Sequence, residues 1–440
     1  MKFDLNVLTV LVMAFFGGLS AYLVNQNVAV FHDGLRPIYP QYLSGNMDRK
    51  SLLATSFALC FGLVVGLGLP VSIAGKIILI HTVLLGTDII GLIFKDDKRG
   101  GYIAAGVGAL YSVVLMFAMD SLLKVFSLFP IDFLGSLGSV GDIIIVAFCV
   151  FPALAIAYQQ GFTKGAIVLV ITMLVKQITA LYGKLTFGAV TVALNADGMA
   201  LLVGIIAMIA MVATEKKKGG SSASAFALFE NNIKRIKSNI LILSLSGGVV
   251  ALATTLLIVA EGPASLTMTA EGQITGAALT ALGRCLGFIP LVMTTAIIAG
   301  VYSPAGTKAV HVPAILMINM GIMGLVGSFV IGCLIMAIEV LLLGYIAKGL
   351  DKFPGMKDLG DNIRTAMSKV LDLALLVGGM LAANKMAPTM GYIWVIGLYF
   401  LNKTSKKPIP EMAVGPLAAI ILGIAINVLH FVGLFPIPVK

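Results

Sequence analysis

Uninterrupted apolar runs recur along this chain, and few folds accommodate them. Leu201–Val212 and Leu417–Ile426 hold no charged residue. A transmembrane β-barrel would alternate apolar and polar positions over segments of about ten residues. These runs do not alternate, so the segments that cross a bilayer are helices, whose backbone groups pair within each segment. Composition agrees: 59% of the 440 residues are hydrophobic and 11% are charged, against about 25% charged in soluble domains. The fold class expected is an all-α polytopic membrane protein.

A crossing needs about 20 apolar residues. Candidate crossings are 6–30, 51–70, 72–94, 101–127, 141–159, 162–182, 197–214, 239–260, 274–301, 310–330, 331–349, 371–388, 391–402 and 410–434. The pair 310–330 and 331–349 has no polar loop between its members, and 391–402 is short, so the expectation is about 12–14 crossings. The first apolar run follows Lys2 and lacks a small-residue cleavage site, so it reads as a retained helix. Three parts follow: an N-terminal transmembrane half 1–214, a linker 215–238 and a C-terminal transmembrane half 239–440. The linker opens with a Lys run and Gly-Gly-Ser-Ser, then turns amphipathic around Ala225–Ile236, as suits a connector on an anionic leaflet.

The net charge of +10 does not point to nucleic acid. Arg49, Lys50, Lys95, Lys98, Lys216–Lys218, Lys348 and Lys403 lie in short loops after odd-numbered crossings, the arrangement of the positive-inside rule. The loop 261–272 carries two glutamates and no basic residue, which places it outside. The multi-pass chain is expected in a bacterial inner membrane, in contact with lipid. Cys60, Cys149, Cys285 and Cys333 are isolated in apolar segments, so no metal site or disulfide is read, and no cofactor. His81, His311 and His430 are scattered and read as packing residues.

Five charges sit where lipid would be: Asp88, Asp142, Arg284, Glu339 and Asp372. A charge at the bilayer centre costs at least about 2.5–3.5 kcal/mol on insertion scales, and such residues mark solute or ion pathways. Three clusters surround them. The first, Phe31-His32-Asp33-Gly34-Leu35-Arg36-Pro37, reads as a gating or re-entrant loop. The second, Leu282-Gly283-Arg284-Cys285-Leu286-Gly287-Phe288-Ile289-Pro290 with Thr294-Thr295 and Tyr302-Ser303, predicts an interrupted helix, with Arg284 as a fork for an anionic group. A structural pairing of Arg284 with Glu339 or Asp372 is the alternative. The third, Pro130–Asp142 with Gln159-Gln160, suits a re-entrant hairpin. Its C-terminal counterpart is Asp361-Asn362, Asp372 and Lys385. Solute contacts are thus expected from Asp142, Gln159, Gln160, Arg284, Thr294, Thr295, Tyr302, Ser303, Asp361, Asn362, Asp372 and Lys385. Gating or coupling is expected from His32, Asp33, Arg36, Asp88 and Glu339.

An internal repeat is suggested by Phe129-Pro130 with Asp142 and Gly161, against Phe353-Pro354 with Asp372 and Gly391. Val30-Phe31 and Val301-Tyr302 form a further pair. Repeat-built carriers place solute in broken helices at the repeat interface.

The chain resembles the YhfT-like family of bacterial integral membrane proteins. The resemblance rests on FHDGLRPI at 31–38, TDIIG at 87–91, DFLGSLG at 132–138, YQQG at 158–161, RCLGFIPLVMTTA at 284–296, GVY at 300–302, EVLLL at 339–343, DNIRTAM at 361–367 and YFLN at 399–402. It implies a transport protein. Genes for pyridoxal-phosphate enzymes and a phosphotriesterase-like hydrolase as neighbours imply a small amino- or phosphate-bearing compound. Similarity to ascorbate-type sugar permeases implies a dimeric elevator carrier, by fold-level analogy.

The function expected is secondary transport of a small anionic or zwitterionic solute by alternating access, in a homodimer, with the coupling ion, proton or sodium, left open. The alternative is a permease subunit or channel-like protein that depends on partners. No phosphate loop, metal motif or nucleophile beside a base is present, so an enzyme is not expected.

Overall fold

The computed structural model describes residues 6–32, 35–187, 190–193, 196–215, 223–350, 355–406 and 408–435. The N-terminal half begins with α1 (Val7–Asn25), a short 3₁₀ turn at Arg36–Ile38, α2 (Tyr39–Leu43) and α3 (Arg49–Leu63). A π-helical turn, Val64–Gly68, joins α3 to α4 (Leu69–Gly75), and β1 (Ile78–Leu79) follows. Then come α5 (Ile80–Ile93), α6 (Lys98–Phe126), α7 (Phe133–Phe148), α8 (Phe151–Gln160) and α9 (Phe162–Tyr182). The strands β2 (Lys184–Phe187) and β3 (Val190–Ala193) pair antiparallel before α10 (Ala196–Ala213). The linker contains α11 (Ala223–Ser238). The C-terminal half runs through α12 (Ile240–Thr255), β4 (Val259–Ala260), α13 (Pro263–Ala270), α14 (Ile274–Ala299), α15 (His311–Leu316), α16 (Gly321–Leu350), α17 (Gly355–Met386), α18 (Met390–Thr404) and α19 (Glu411–Phe431).

Helix starts are chemically marked. The side chains of Asn6, Asp48, Asp97 and Asp132 accept from the amides of Thr9, Ser51, Gly100 and Gly135, satisfying amides that have no partner within the helix. Seven helices among the described residues are long and apolar enough to cross a membrane, and nine if two bent pairs count as spans. Their outer faces are apolar and exposed: Phe162, Val170, Leu174 and Leu181 on α9, and Ile322, Val326, Leu334 and Ile338 on α16. Such faces belong against lipid. The chain is a multi-pass α-helical membrane protein.

Several boundaries differ from the sequence reading. The proposed crossings 310–330 and 331–349 are the short α15 and a single helix α16 of 30 residues. The Gly/Ser-rich stretch 130–142 is not a re-entrant hairpin; it is helical from Phe133. Glycine there serves close packing: a Cβ on Gly378 of α17 would lie 2.8 Å from the Val140 Cα. The chain breaks later, between α7 and α8, where Pro152 opens the second helix. The expected interruption of 274–301 is present as a 41° bend between Ile289 and Leu291, at Pro290.

Deep in the protein, four chain segments leave helical form and pair. α1 ends at left-handed Asn27 (φ 55°) and α12 at left-handed Leu257 (φ 58°). Each end has the same closure: Val28 N–H donates to the Leu23 carbonyl at 2.9 Å, and Ile258 N–H to the Ala253 carbonyl at 3.0 Å. Beyond α1, the Val30 amide donates to the Tyr302 carbonyl at 2.8 Å, and the Tyr302 amide to the Val28 carbonyl at 3.0 Å. Beyond α12, β4 pairs in parallel with β1. Extended backbone is tolerated at membrane depth only inside protein, and Ala29, Val30, Ile78, Leu79 and Val259 are all buried. The two halves therefore exchange backbone hydrogen bonds at two places.

The linker helix is docked, not laid free on a leaflet. Asn232 Nδ2 donates to the Ile297 carbonyl at 3.0 Å and Arg235 Nη2 to the Asn27 carbonyl at 2.9 Å, while Ile236 is buried. α11 thus spans the ends of α1 and α14.

Two helix pairs meet through glycine. A Cβ on Gly108 of α6 would lie 2.6 Å from the Gly17 carbonyl oxygen of α1, and one on Gly332 of α16 would lie 2.6 Å from the Gly247 carbonyl oxygen of α12. Small residues let membrane helices approach closely. Gly108→Leu should destabilise the detergent-solubilised protein by about 1–3 kcal/mol through overpacking. Gly106→Leu on the same helix, where nothing lies within 4 Å, should leave the unfolding midpoint unchanged. Thermal unfolding of the two variants checks this.

Candidate functional site

The paired segments carry charge into the interior. β4 leads directly into Glu261, which is fully buried, and Gly262 opens α13. Across from it, α14 presents Arg284 ahead of its bend, 1% exposed. Arg284 Nη1 lies 3.1 Å from Glu261 Oε1 and 3.2 Å from Oε2. Ser265 Oγ donates to Oε2 at 3.1 Å. A side chain at position 262 would collide with the Arg284 guanidinium, since a Cβ there would lie 1.2 Å from Nη1; glycine makes the ion pair possible.

A second cation joins them. Lys308, on the loop after the Tyr302 bridge, is 4% exposed. Its Nζ lies 3.9 Å from Glu261 Oε1 and 3.4 Å from His81 Nε2. The ammonium sits 4.1 Å from the Phe288 ring centroid and 5.6 Å from that of Phe31, within range of cation–π attraction. The Arg284 guanidinium carbon is 5.6 Å from the Phe288 ring. This cluster borders a cavity of about 790 Å³ lined also by His32, Ser303 and a broad set of apolar side chains. Thr365, Ser368 and Lys369 of α17 line it and are exposed, which marks its mouth.

Two other buried carboxylates hold the frame. Asp88 on α5 accepts from the backbone amides of Phe31 at 3.0 Å and His32 at 2.8 Å. Glu339 on α16 accepts from Tyr302 Oη at 2.8 Å, the Thr307 amide at 2.9 Å and Thr307 Oγ1 at 2.5 Å. Arg36 Nη1 donates to the Val30 and Phe31 carbonyls, and its Nε to Thr295 Oγ1 at 2.9 Å. Asp88 and Arg36 thus grip the amides and carbonyls of one short segment, and Glu339 grips the loop that bears Lys308. Backbone amides at Asp88, and one amide with two hydroxyls at Glu339, stabilise these acids in place.

Of the residues expected from sequence, Arg284, His32 and Ser303 line the cavity. Arg36, Thr295, Asp88, Tyr302 and Glu339 form the frame behind it. Gln159, Gln160 and Asn362 lie in a separate polar knot. There, Gln159 Nε2 donates to Glu215 Oε2 and the Gly355 carbonyl, both at 2.8 Å. Asn362 Nδ2 donates to Gln159 Oε1 at 3.2 Å, and Gln160 Nε2 to the Met211 carbonyl at 3.2 Å. Asp361 and Lys385 are exposed, and Asp372 is half-buried on α17 away from the cavity lining. Asp33 lies outside the described residues, as do the side chains of Asp142 and Thr294.

The partner of Arg284 is neither Glu339 nor Asp372 but Glu261, a residue assigned by its loop composition to an outside loop. The β1–β4 pairing draws it inward. Lys308 and His81 were missed as site residues. The available signal was Glu261-Gly262-Pro263 at the end of an apolar run, and a lone lysine in Ser303-Pro304-Ala305-Gly306-Thr307-Lys308 between two such runs.

The sequence model of the YhfT family, described as a protein of unknown function, matches residues 9–435. The chain is 30% identical over 442 aligned residues to the uncharacterized protein YhfT of Escherichia coli strain K12, covering 97% of this chain and 98% of that protein. No solved structure matches it. The chain belongs to the YhfT family.

Glu261→Gln removes the carboxylate that two buried cations share. Breaking a buried pair by removing one partner typically costs about 3–5 kcal/mol, so this variant should lose that order of stability. Glu261→Gln combined with Arg284→Gln, which leaves Lys308 as the one charged residue of the three, should recover part of it. Chemical unfolding of both variants in the same detergent decides between an energetic ion cluster and an incidental contact.

Proposed function

We propose that this protein is a secondary-type transporter for a small organic anion in the bacterial inner membrane, working by alternating access. The observation that carries the reading is the buried Glu261–Arg284–Lys308 cluster at the edge of a cavity of about 790 Å³. Ligand pockets commonly enclose about 300–1,000 Å³ and use a few convergent polar groups among apolar walls. The cavity is also built where helices break and the chain halves meet, which is where carriers made from repeats bind solute.

An internal repeat is part of this proposal. α1 and α12 end with the same hydrogen-bond closure, and each packs through glycine on a long helix, α6 or α16. Asp142 and Asp372 each precede a glycine, Gly161 or Gly391, at equal separation. The equivalences differ from those the sequence suggests: Val30-Phe31 corresponds to Ala260-Glu261, because both follow a left-handed helix end, and Val301-Tyr302 corresponds to Ile77-Ile78 after left-handed Lys76. What looked like two equivalent segments, at 30–31 and 301–302, are partners in one bridge. Homodimerisation and an elevator movement complete the proposal. The exposed apolar faces of α9 and α16 are available for lipid or a second copy.

Reconstitution tests it. Proteoliposomes loaded with an unlabelled organic anion should accelerate uptake of the same labelled anion, as alternating access requires. Arg284→Lys should insert and fold, because charge opposite Glu261 is kept. Its exchange rate should nevertheless fall by an order of magnitude or more, because an ammonium cannot reproduce the guanidinium fork. Absence of trans-acceleration across a panel of organic anions would contradict the transport reading.

A further inference from the structure

A secondary transporter that accumulates its solute draws on an ion gradient. We propose that His81 couples this one to protons: it takes up a proton when an anion engages Lys308 and releases it when the anion leaves. The transport step rests on the reading above; proton uptake on binding is testable without it.

His81 lies in the first turn of α5, directly after β1, and lines the cavity. Lys308 Nζ is 3.4 Å from its Nε2. An ammonium carries donors and no acceptor, so Nε2 accepts, and the ring in this arrangement is neutral with its hydrogen on Nδ1. Nδ1 is buried and has no hydrogen-bond partner among the described residues. Lys308 is thus the ring's one hydrogen-bonding neighbour there. The Phe31 ring meets the imidazole edge-on, with centroids 5.2 Å apart, and lies 5.6 Å from the Lys308 ammonium. It packs against both groups.

Their protonation states exclude each other. A proton on His81 Nε2 would point at the ammonium, without an acceptor and against a like charge. His81 takes that proton only when Lys308 turns away. An anion held by Lys308 supplies the turn, and its negative charge then stands near the imidazolium. In this step a hydronium ion in the cavity gives its proton to Nε2 and leaves water. The ammonium exchanges its hydrogen bond to Nε2 for one to the anion. Release of the anion reverses both changes, and no electron is transferred. Linkage is reciprocal, so the proton favours the anion as much as the anion favours the proton.

The groups around His81 leave it the coupling position. Glu261 stands 3.9 Å behind Lys308 and is not part of the cavity wall. Asp88, two turns along α5, and Glu339 are held by the frame donors. His311 is fully buried off the wall, with Nδ1 2.8 Å from Thr254 Oγ1. Arg284 keeps its proton. On α6, Tyr111 Oη donates to the neighbouring Thr82 carbonyl at 2.7 Å. On α3, Cys60 is buried off the wall, and Arg49 serves the Gly91 and Leu92 carbonyls at the other end of α5. Lys369 stands at the exposed mouth. Leu59, Leu63, Leu67, Leu85, Leu291 and Met412 line much of the remainder and hold no proton. His32 is the other imidazole on the wall, without a described bond to Lys308, and serves as the control.

Uptake by the full-length protein in liposomes tests this, with potassium and valinomycin on both sides to hold the membrane potential at zero. The labelled probes are benzenesulfonate, which has no neutral form to leak across, and benzoate, corrected with protein-free liposomes. With the outside about one pH unit more acid, one-to-one coupling should accumulate the probe up to about tenfold. At equal pH it should not accumulate. His81→Gln keeps an acceptor for Lys308 but takes no proton, so its ratio between the two conditions should fall to about one, whatever its basal rate. His32→Gln should keep the wild-type ratio. Wild-type accumulation indifferent to the pH gradient would overturn the proposal. So would a gradient response that survives His81→Gln, or one lost in His32→Gln alone. If His81→Gln misfolds, calorimetry on the wild type decides. Binding enthalpies of the probes in Pipes and in Tris should differ in proportion to the ionisation enthalpies of the buffers, reporting proton uptake; equal enthalpies, or no binding, would overturn it. Trans-acceleration without a pH response keeps transport and removes the role of His81. Proton uptake on binding without trans-acceleration keeps the proton site and removes transport.

Discussion

Backbone that leaves the helix inside a membrane protein must find its hydrogen bonds within the protein. That constraint organises this fold. Segments 28–30, 78–79, 258–260 and 301–302 all abandon helical form at depth, and they solve the problem by pairing across the chain halves. Everything described at the site depends on this. The strand pair of β1 and β4 sets Glu261 and His81 on adjoining turns, and the Tyr302 bridge fixes the loop that delivers Lys308. Were these segments helical, Glu261 would lie on a helix surface and the Arg284–Glu261 pair would not form.

The buried acids divide by what holds them. Asp88 is met by two backbone amides, and Glu339 by an amide and two hydroxyls. Both carboxylates are satisfied by the frame they hold. Glu261 is met instead by side-chain cations that border open volume. A carboxylate held by rigid amides fastens a loop. A carboxylate shared between two cations leaves a charge balance that a solute can change. This difference in partner, more than burial or charge, separates frame from site in this protein.

The sequence made the class legible, because apolar runs of this length without alternation admit only membrane helices. It also marked Arg284, an interruption in the helix that holds Pro290 and an amphipathic helix around 225–236, since each is a local event: a charge in an apolar run, helix-breaking residues, a periodicity. It did not reveal Glu261 as a buried residue. Two glutamates in a short polar loop look the same whether that loop faces water or is drawn inward by a two-residue strand, and the strand's partner lies in the other half of the chain. Lys308 was hidden for the same reason. Gln159 and Asn362, conspicuous beside glycines and acids, proved to tie helix ends together. Polar character identified them as constrained residues without saying by what. The doubled assignment 310–330 and 331–349 failed because a 30-residue helix tilts or extends beyond the bilayer, and length alone does not place its ends.

The central claim is that Glu261, Arg284 and Lys308 form one buried cluster against which an anion binds in the adjoining cavity. An electron cryomicroscopy map of the protein in nanodiscs with 4-iodobenzoate tests it most directly, because iodine scatters strongly and fixes the orientation of the ring. The account predicts iodine among the leucine-lined walls and the carboxylate against Lys308 and Arg284, with the Arg284–Glu261 pair preserved. Iodine density elsewhere with the cavity empty, or Glu261 facing water apart from both cations, would contradict it.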